Sequence, residues 1–207
     1  DGGCVPIALA LEEMGIYRFN TEKSLFKNKT KPPYKIHGHN AKYIMITGDK
    51  KLSPNNKLEL KAATDSDNTN GEKVKVIIIS KAGSEGLDFQ NIRQVHILEP
   101  WYNTNRIEQI IGRGVRNLSH CLLPFEKRNV EIYMYATCLE NETEEATDVY
   151  IYRLAKKKAK QIGKVTRLLK ETSVDCLLNI GQSNFTETKL RTLASNQSMK
   201  IILSNGK

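Results

Sequence analysis

Val74-Lys75-Val76-Ile77-Ile78-Ile79-Ser80-Lys81-Ala82-Gly83-Ser84-Glu85-Gly86-Leu87-Asp88 decides the fold. Its first half is a near-continuous β-branched run, which predicts a strand buried on both faces, as in a parallel sheet with helices on either side. Its second half is small and glycine-rich. In open parallel sheets ligands bind on the loops that follow the carboxyl ends of strands. Two glycines there let backbone N–H groups approach a phosphate or sugar closely. Asp88 could accept hydrogen bonds from ribose hydroxyls or hold the loop's shape. Taken alone, the same residues also describe an ordinary glycine-rich turn from strand to helix.

Working outward, Lys42 to Asp49 is a short apolar run closed by a glycine turn, a second buried strand. Val95 to Glu99 predicts a third, and Asn129 to Ala136 alternates like a fourth. Pro6 to Gly15 predicts a helix of about two turns, with Ile7, Leu11 and Met14 on its apolar face and Gly15 as its stop. Residues 57–63 and 104–113 also read as helices, the latter with Asn105 as N-cap and Glu108 three positions on. Residues 20–40 form a Lys/Asn-rich insertion, and 65–71 a polar loop. Strands alternating with helices predict an open α/β domain over residues 1–140. A helical zone over 142–178 opens a second region, 141–207, whose tail is polar apart from a strand-like run at 199–203.

Gln109-Ile110-Ile111-Gly112-Arg113-Gly114-Val115-Arg116 carries the second functional signal. If 104–116 is helical, Gln109, Gly112, Arg113 and Arg116 share one face. Guanidiniums one turn apart need anions if they are buried, and their planar forks suit phosphate oxygens. Gly112 leaves room for a large ligand beside them. Exposed arginines on a solvated helix are the plainer reading of this pair taken alone.

The combination is more specific. Gln-x-x-Gly-Arg-x-x-Arg, with Ala-Gly-x-Glu-Gly-x-Asp roughly 26 residues earlier and Glu99-Pro100-Trp101-Tyr102-Asn103 between, resembles motifs V and VI of superfamily 2 helicases. The resemblance spans roughly residues 1–136. It implies a RecA-like open parallel sheet flanked by helices, the second lobe of a motor that binds ATP between two lobes. Arg113 and Arg116 would face the triphosphate, Arg116 at the γ-phosphate, with Gln109 in the same polar network and Gly112 beside the nucleotide. Gly86 and Asp88 would lie near the ribose or couple the nucleotide to the nucleic-acid strand. Ser80, Lys81 and Ala82, with Thr47 and Gly48, would touch the nucleic-acid backbone.

The chain has no phosphate-cradling G-x-x-x-x-G-K-[ST] loop and no Asp-Glu run to hold Mg²⁺. The resemblance assigns those to a first lobe, so ATP with Mg²⁺ would be shared with that lobe and this chain would not turn over alone. The chain also starts after the point where the family places the first strand of this lobe. Arg116-Asn117-Leu118-Ser119-His120, then Tyr150-Ile151-Tyr152-Arg153-Leu154-Ala155 and Asp175-Cys176-Leu177-Leu178-Asn179, are similar to helicases of large nucleocytoplasmic DNA viruses. The poxvirus nucleoside triphosphatase I and early transcription factor small subunit belong to that group. This implies transcription-linked translocation, on DNA in preference to RNA though the residues distinguish neither, a viral RNA polymerase as partner, and an intracellular place, the virion or a cytoplasmic viral factory.

Composition agrees with a nucleic-acid partner. The 207 residues are 39% hydrophobic and 27% charged, with a net charge of +9. Such an excess attracts polyanions. Residues 153–170 hold eight basic residues, Lys156, Lys157, Lys158 and Lys160 among them, and no acidic one. On a helix they lie within about 27 Å. They predict either a contact with the nucleic-acid backbone or a solvated face. No Trp/Phe/Leu-rich face stands opposite the lysines in this reading, which argues against a membrane surface. No run approaches a membrane span, and the first residues do not resemble a signal peptide. The four cysteines and four histidines show no ligand spacing, so no metal site is expected and the thiols should be free. Two other classes compete. A non-catalytic nucleic-acid-binding module would not need the Gln109/Arg113/Arg116 set, and a small-molecule α/β enzyme would need grouped acid–base or nucleophilic residues at strand ends.

Overall fold

The computed structural model describes residues 3–20, 24–26, 31–36, 38–81, 86–140, 144–176 and 178. Ala82 and the strand-like run at 199–203 lie outside them. In chain order the elements are α1 (Cys4–Glu13), β1 (Tyr17–Arg18), β2 (Lys35–Ile36), β3 (His39–Asn40), β4 (Lys42–Ile46), α2 (Asn56–Thr64), β5 (Val76–Ile79), β6 (Gln94–Ile97), α3 (Thr104–Gly114), β7 (Glu131–Met134) and α4 (Thr147–Thr172). The chain divides into two compact units, residues 1–97 with 108–134, and residues 98–107 with 135–207. The second unit thus begins a few residues before 140 and draws in the segment Leu98–Ile107.

The first unit is a parallel α/β layer. Its main sheet has the order β1-β4-β5, with all pairs parallel and Tyr43, Ile44, Met45 and Ile46 opposite Val76, Ile77, Ile78 and Ile79. Side chains alternate across a strand, and β4 shows the consequence. Tyr43 and Met45 enter one apolar cluster with Ala8 of α1, while Ile44 and Ile46 enter another with Ala63 of α2. One helix therefore covers each face. The sequence placed this double burial on β5, but among the described residues β4 is the central strand. β5 pairs on one side only, and of its four residues only Ile78 is fully buried.

α1 lies where it was predicted, and Ile7 and Leu11 of its expected apolar face pack against the core while Met14 does not. Ala8 and Glu12 are its buried residues, and Met14 is 62% exposed because the helix ends one residue earlier, at Glu13. Gly15 makes the stop at φ +86°, where a β-carbon would run into the Pro32 carbonyl. Glu12, a carboxylate in the core, is satisfied locally: it accepts hydrogen bonds from the Tyr43 hydroxyl (2.9 Å), the Leu25 N–H (2.7 Å) and the Ser24 hydroxyl. Burial, helped by that carboxylate, holds the Tyr43 hydroxyl well above the usual phenol range.

β6 and β7 form a separate parallel pair. The expectation that β6 is buried on both faces does not hold. Only Ile97 is fully buried, because Gln94 and His96 alternate outward, and His96 stacks on Tyr133 with ring centroids 4.9 Å apart. β2 and β3 make a small antiparallel hairpin inside the basic insertion. Among the described residues none of the four cysteines forms a disulfide.

In the second unit α4 runs from Thr147 to Thr172, shorter at both ends than the predicted zone. Ile151 and Ala155 are buried and the Arg153 fork is bidentate on Glu145, at 2.8 Å for each bond. Lys156, Lys157 and Lys160 are exposed. Lys158 leaves their face: it stands two turns after Ile151 on the same side and is half-buried. The helix also corrects the view that no apolar face opposes the lysines. Ile162, Val165, Leu168 and Leu169, each more than half exposed, form such a stripe. It emerges only when positions three and four apart are stacked by a helix continuous to Thr172. Among the described residues no helix is long and apolar enough to cross a membrane.

Candidate functional site

The site forms in the first unit, where the loop after β5 meets the end of α3. Gly86, Leu87, Asp88, Gln109, Gly112, Arg113 and Arg116 line a cleft of about 460 Å³. These are the residues the two motifs singled out, brought together across about 20 positions of chain.

α3 supplies one wall. It starts at Thr104, so Asn105 lies inside its first turn rather than at the cap. Gln109, Gly112 and Arg113 share a face at offsets 0, 3 and 4. Arg116 does not belong to the helix, which ends at Gly114. Its guanidinium still returns to the same wall because its Nε donates to the Gly112 carbonyl at 3.1 Å. A β-carbon at Gly112 would meet nothing within 4 Å. Its lack of a side chain therefore leaves open space in the cleft wall, not a tight packing contact.

The other wall is Gly86 to Asp88, with Gly86 at φ +70°. Arg113 holds the two walls together: its guanidinium donates to the Leu87 carbonyl (3.3 Å), and its own carbonyl accepts from the Phe89 N–H (3.1 Å). The Nε of Arg113 is buried without a partner among the described residues. A buried donor on a permanently charged group costs more than a neutral one to leave unsatisfied, so this edge of the cleft favours an acceptor oxygen. Asp88 pairs with Arg116 at 2.5 Å, both side chains more than half exposed. Ion pairs this exposed contribute on the order of 0–1 kcal/mol. A polyphosphate could compete for Arg116 at little cost.

The other candidates sit at the carboxyl end of the main sheet. The Ser80 N–H extends β5 by donating to the Ile46 carbonyl (3.0 Å), and Lys81 beyond it is exposed. Thr47 is only 3% exposed, and its side chain is consumed internally. Its hydroxyl bonds Ser53 Oγ (2.8 Å) and the Asp49 carbonyl (3.1 Å), while its carbonyl accepts from Asn56 Nδ2 (3.1 Å). Thr47 thus shapes the turn, and Gly48, exposed, is what the turn presents. Sequence reasoning missed Ser53 and Asn56, which fix this turn. Their signal was only a serine and an asparagine near a predicted helix start.

A parallel α/β lobe that gathers a glutamine, a glycine and two arginines from one helix end against a glycine-rich strand-end loop is a superfamily 2 helicase C-terminal lobe. Residues 17–117 match the helicase conserved C-terminal domain, and that part of the chain is such a domain, close to helicases of large DNA viruses. It is 38% identical over 135 residues to a protein of Acanthamoeba polyphaga mimivirus named as an ATP-dependent RNA helicase, covering 62% of this chain and 16% of that protein. It is 30% identical over 190 residues to a protein named as a helicase in Invertebrate iridescent virus 3, covering 90% and 18%. It is 33% identical over 123 residues to nucleoside triphosphatase I of Heliothis armigera entomopoxvirus, covering 59% and 19%. The chain therefore spans less than a fifth of the length of each of these three relatives.

Proposed function

We propose that this chain is the C-terminal motor lobe of an ATP-dependent helicase or translocase, and that it supplies the arginines of an ATPase completed by another lobe. The observation that carries the reading is the convergence of Gln109, Arg113 and Arg116 on one cleft wall, opposite Gly86 to Asp88. Arg116, exposed and weakly held, reaches the γ-phosphate. Arg113, locked to the Leu87 carbonyl, offers its Nε edge to the phosphates. Gln109 joins them, and Gly86 and Gly112 leave the nucleotide room. Asp88 holds Arg116 aside until the triphosphate competes for it. Among the described residues the one carboxylate lining the cleft is Asp88, already paired with Arg116, and these residues do not fit a Mg²⁺ site. Mg²⁺ would screen the triphosphate from ligands on the other lobe.

In this reading Gly48, Ser80 and Lys81, with Ala82 after them, track the nucleic-acid backbone at the sheet's carboxyl end, and Thr47 fixes the turn. The exposed lysines of α4 add phosphate contacts. Phosphate contacts are common to DNA and RNA, and the reading of a DNA motor linked to a viral RNA polymerase rests on the likeness to nucleoside triphosphatase I. The experiment is a comparison of steady-state ATP hydrolysis by this chain and by the full-length protein, with and without nucleic acid. The chain alone should show background turnover, and the full-length protein turnover stimulated by nucleic acid. A full-length protein that binds nucleic acid without hydrolysing ATP would make this lobe a binding module.

The α4 contribution has its own measurement. Replacing Lys156, Lys157 and Lys160 with glutamine should reduce the slope of log affinity against log salt by up to about 3 for duplex DNA. An unchanged slope would mark the face as merely solvated.

A further inference from the structure

The Ser119-His120 pair follows Arg116 closely, and the nucleotide reading gives it no role. The structure places both residues at the base of the turn that carries Arg116. Ser119, 7% exposed, accepts the Arg116 N–H on its Oγ (3.2 Å), and the same Oγ lies 2.9 Å from the Arg116 carbonyl and 2.8 Å from His120 Nδ1. His120 Nε2 stands 2.6 Å from the Ile92 carbonyl. A carbonyl oxygen only accepts, so Nε2 carries a hydrogen and Nδ1 can accept the Ser119 hydroxyl. The Ser119 carbonyl in turn accepts the Asn91 N–H at 2.8 Å.

These bonds tie the Arg116 turn to residues 91 and 92, a few positions beyond Asp88 on the opposite wall. Ile92 is the anchor twice over, because its side chain also abuts Gly114, where an added β-carbon would come within 3.1 Å. The turn is otherwise poorly supported. Leu118, at its tip, is 73% exposed and sits at φ +61°, a conformation that an aliphatic side chain adopts only when its surroundings impose it. The Arg116 side chain lies exposed beyond the last helical residue, held by the Gly112 carbonyl and Asp88 rather than by packing. We infer that Ser119 and His120 are positioning residues for Arg116. They fix the backbone from which its guanidinium reaches the cleft, and they fasten that backbone to the loop bearing Asp88. This rests on the reading of Arg116 as the phosphate-facing arginine.

The test uses the full-length protein and follows kcat and KM for ATP, with thermal unfolding alongside. Ser119→Ala and His120→Ala should each lower kcat about tenfold or more, as misplacement of a catalytic group by a fraction of an ångström can, with KM within about threefold. His120→Gln, whose amide can still donate to Ile92, should restore most of the loss. On an Arg116→Ala background neither substitution should lower kcat further, because residues acting as a unit are non-additive. Normal kcat in both single variants while Arg116→Ala is crippled would overturn the positioning role and leave the arginine's role standing. A full additional loss on the Arg116→Ala background would overturn it too, since the pair would then act on something else. Normal turnover in Arg116→Ala itself would instead remove the premise. Ser119→Ala deletes one oxygen and keeps the test decisive if His120→Ala unfolds.

Discussion

Arg116→Ala in the full-length protein should lower ATP turnover by about 10³ or more while leaving nucleic-acid affinity within a fewfold of the parent protein. The size of the effect separates the possible causes. A thousandfold is about 4 kcal/mol in the barrier. Among the described residues the Arg116 side chain makes an exposed ion pair with Asp88 and a hydrogen bond to the Gly112 carbonyl. Exposed pairs contribute on the order of 0–1 kcal/mol, so losing them cannot produce that change through the fold. Only charge developing on a transferred phosphoryl group, met by the guanidinium once a second lobe closes over this open cleft, supplies the difference. Arg116→Lys should recover only part of it, since an ammonium keeps the charge but not the planar fork. Steady-state hydrolysis with saturating nucleic acid measures the loss, and fluorescence anisotropy on a labelled duplex the binding. Turnover within about threefold of the parent protein would remove Arg116 from the chemistry.

The parts of this site legible in the sequence were those set by local geometry. Gln109, Gly112 and Arg113 share a wall because helical spacing puts them there, and Gly86 to Asp88 face them because strand-end loops in parallel sheets gather at one edge. Arg116 fell on the right wall for a different reason than expected. The helix stops at Gly114, and a hydrogen bond from Nε to the Gly112 carbonyl, not helical periodicity, returns the side chain. The Asp88 pairing was not legible, since nothing in either segment fixes which anion Arg116 meets before a nucleotide does. In the fold, β-branched density correctly marked β5 as a strand but exaggerated its burial. The more central β4 includes a tyrosine and a methionine, and only the packing of α1 and α2 on its two faces reveals its place. Lys158 shows the same limit. A run of lysines reads as one charged block, whereas the helix turns one of them onto the side of Ile151.

What sequence pattern discloses least is a charge placed inside, and the second large effect arises there. Glu59, 3% exposed on α2, receives the Arg18 fork of β1 at 2.9 and 3.2 Å and the Met45 N–H of β4 at 3.3 Å. Arg18 also donates to the Leu52 carbonyl at 2.6 Å. One carboxylate thus ties a two-residue edge strand, the central strand and the covering helix together. β1 has little else to hold it, with only two residues paired to β4. Glu59→Ala leaves the Arg18 guanidinium, 16% exposed, with the Leu52 carbonyl alone, and breaking a fully buried pair from one side costs about 3–5 kcal/mol, an upper bound for this partly exposed one. That is a large part of the roughly 5–15 kcal/mol by which a domain is stable. Urea unfolding followed by circular dichroism should show a midpoint shift of up to that size. Glu59→Gln should lose less, because the amide oxygen still accepts from the Arg18 fork though without charge. Replacing Arg18 and Glu59 together by methionine and leucine should recover much of the loss, since hydrophobic replacement of a buried pair is often neutral. A double variant as unstable as Glu59→Ala alone would mean that the backbone acceptors at Leu52 and donors at Met45, rather than the charge pair, set the cost.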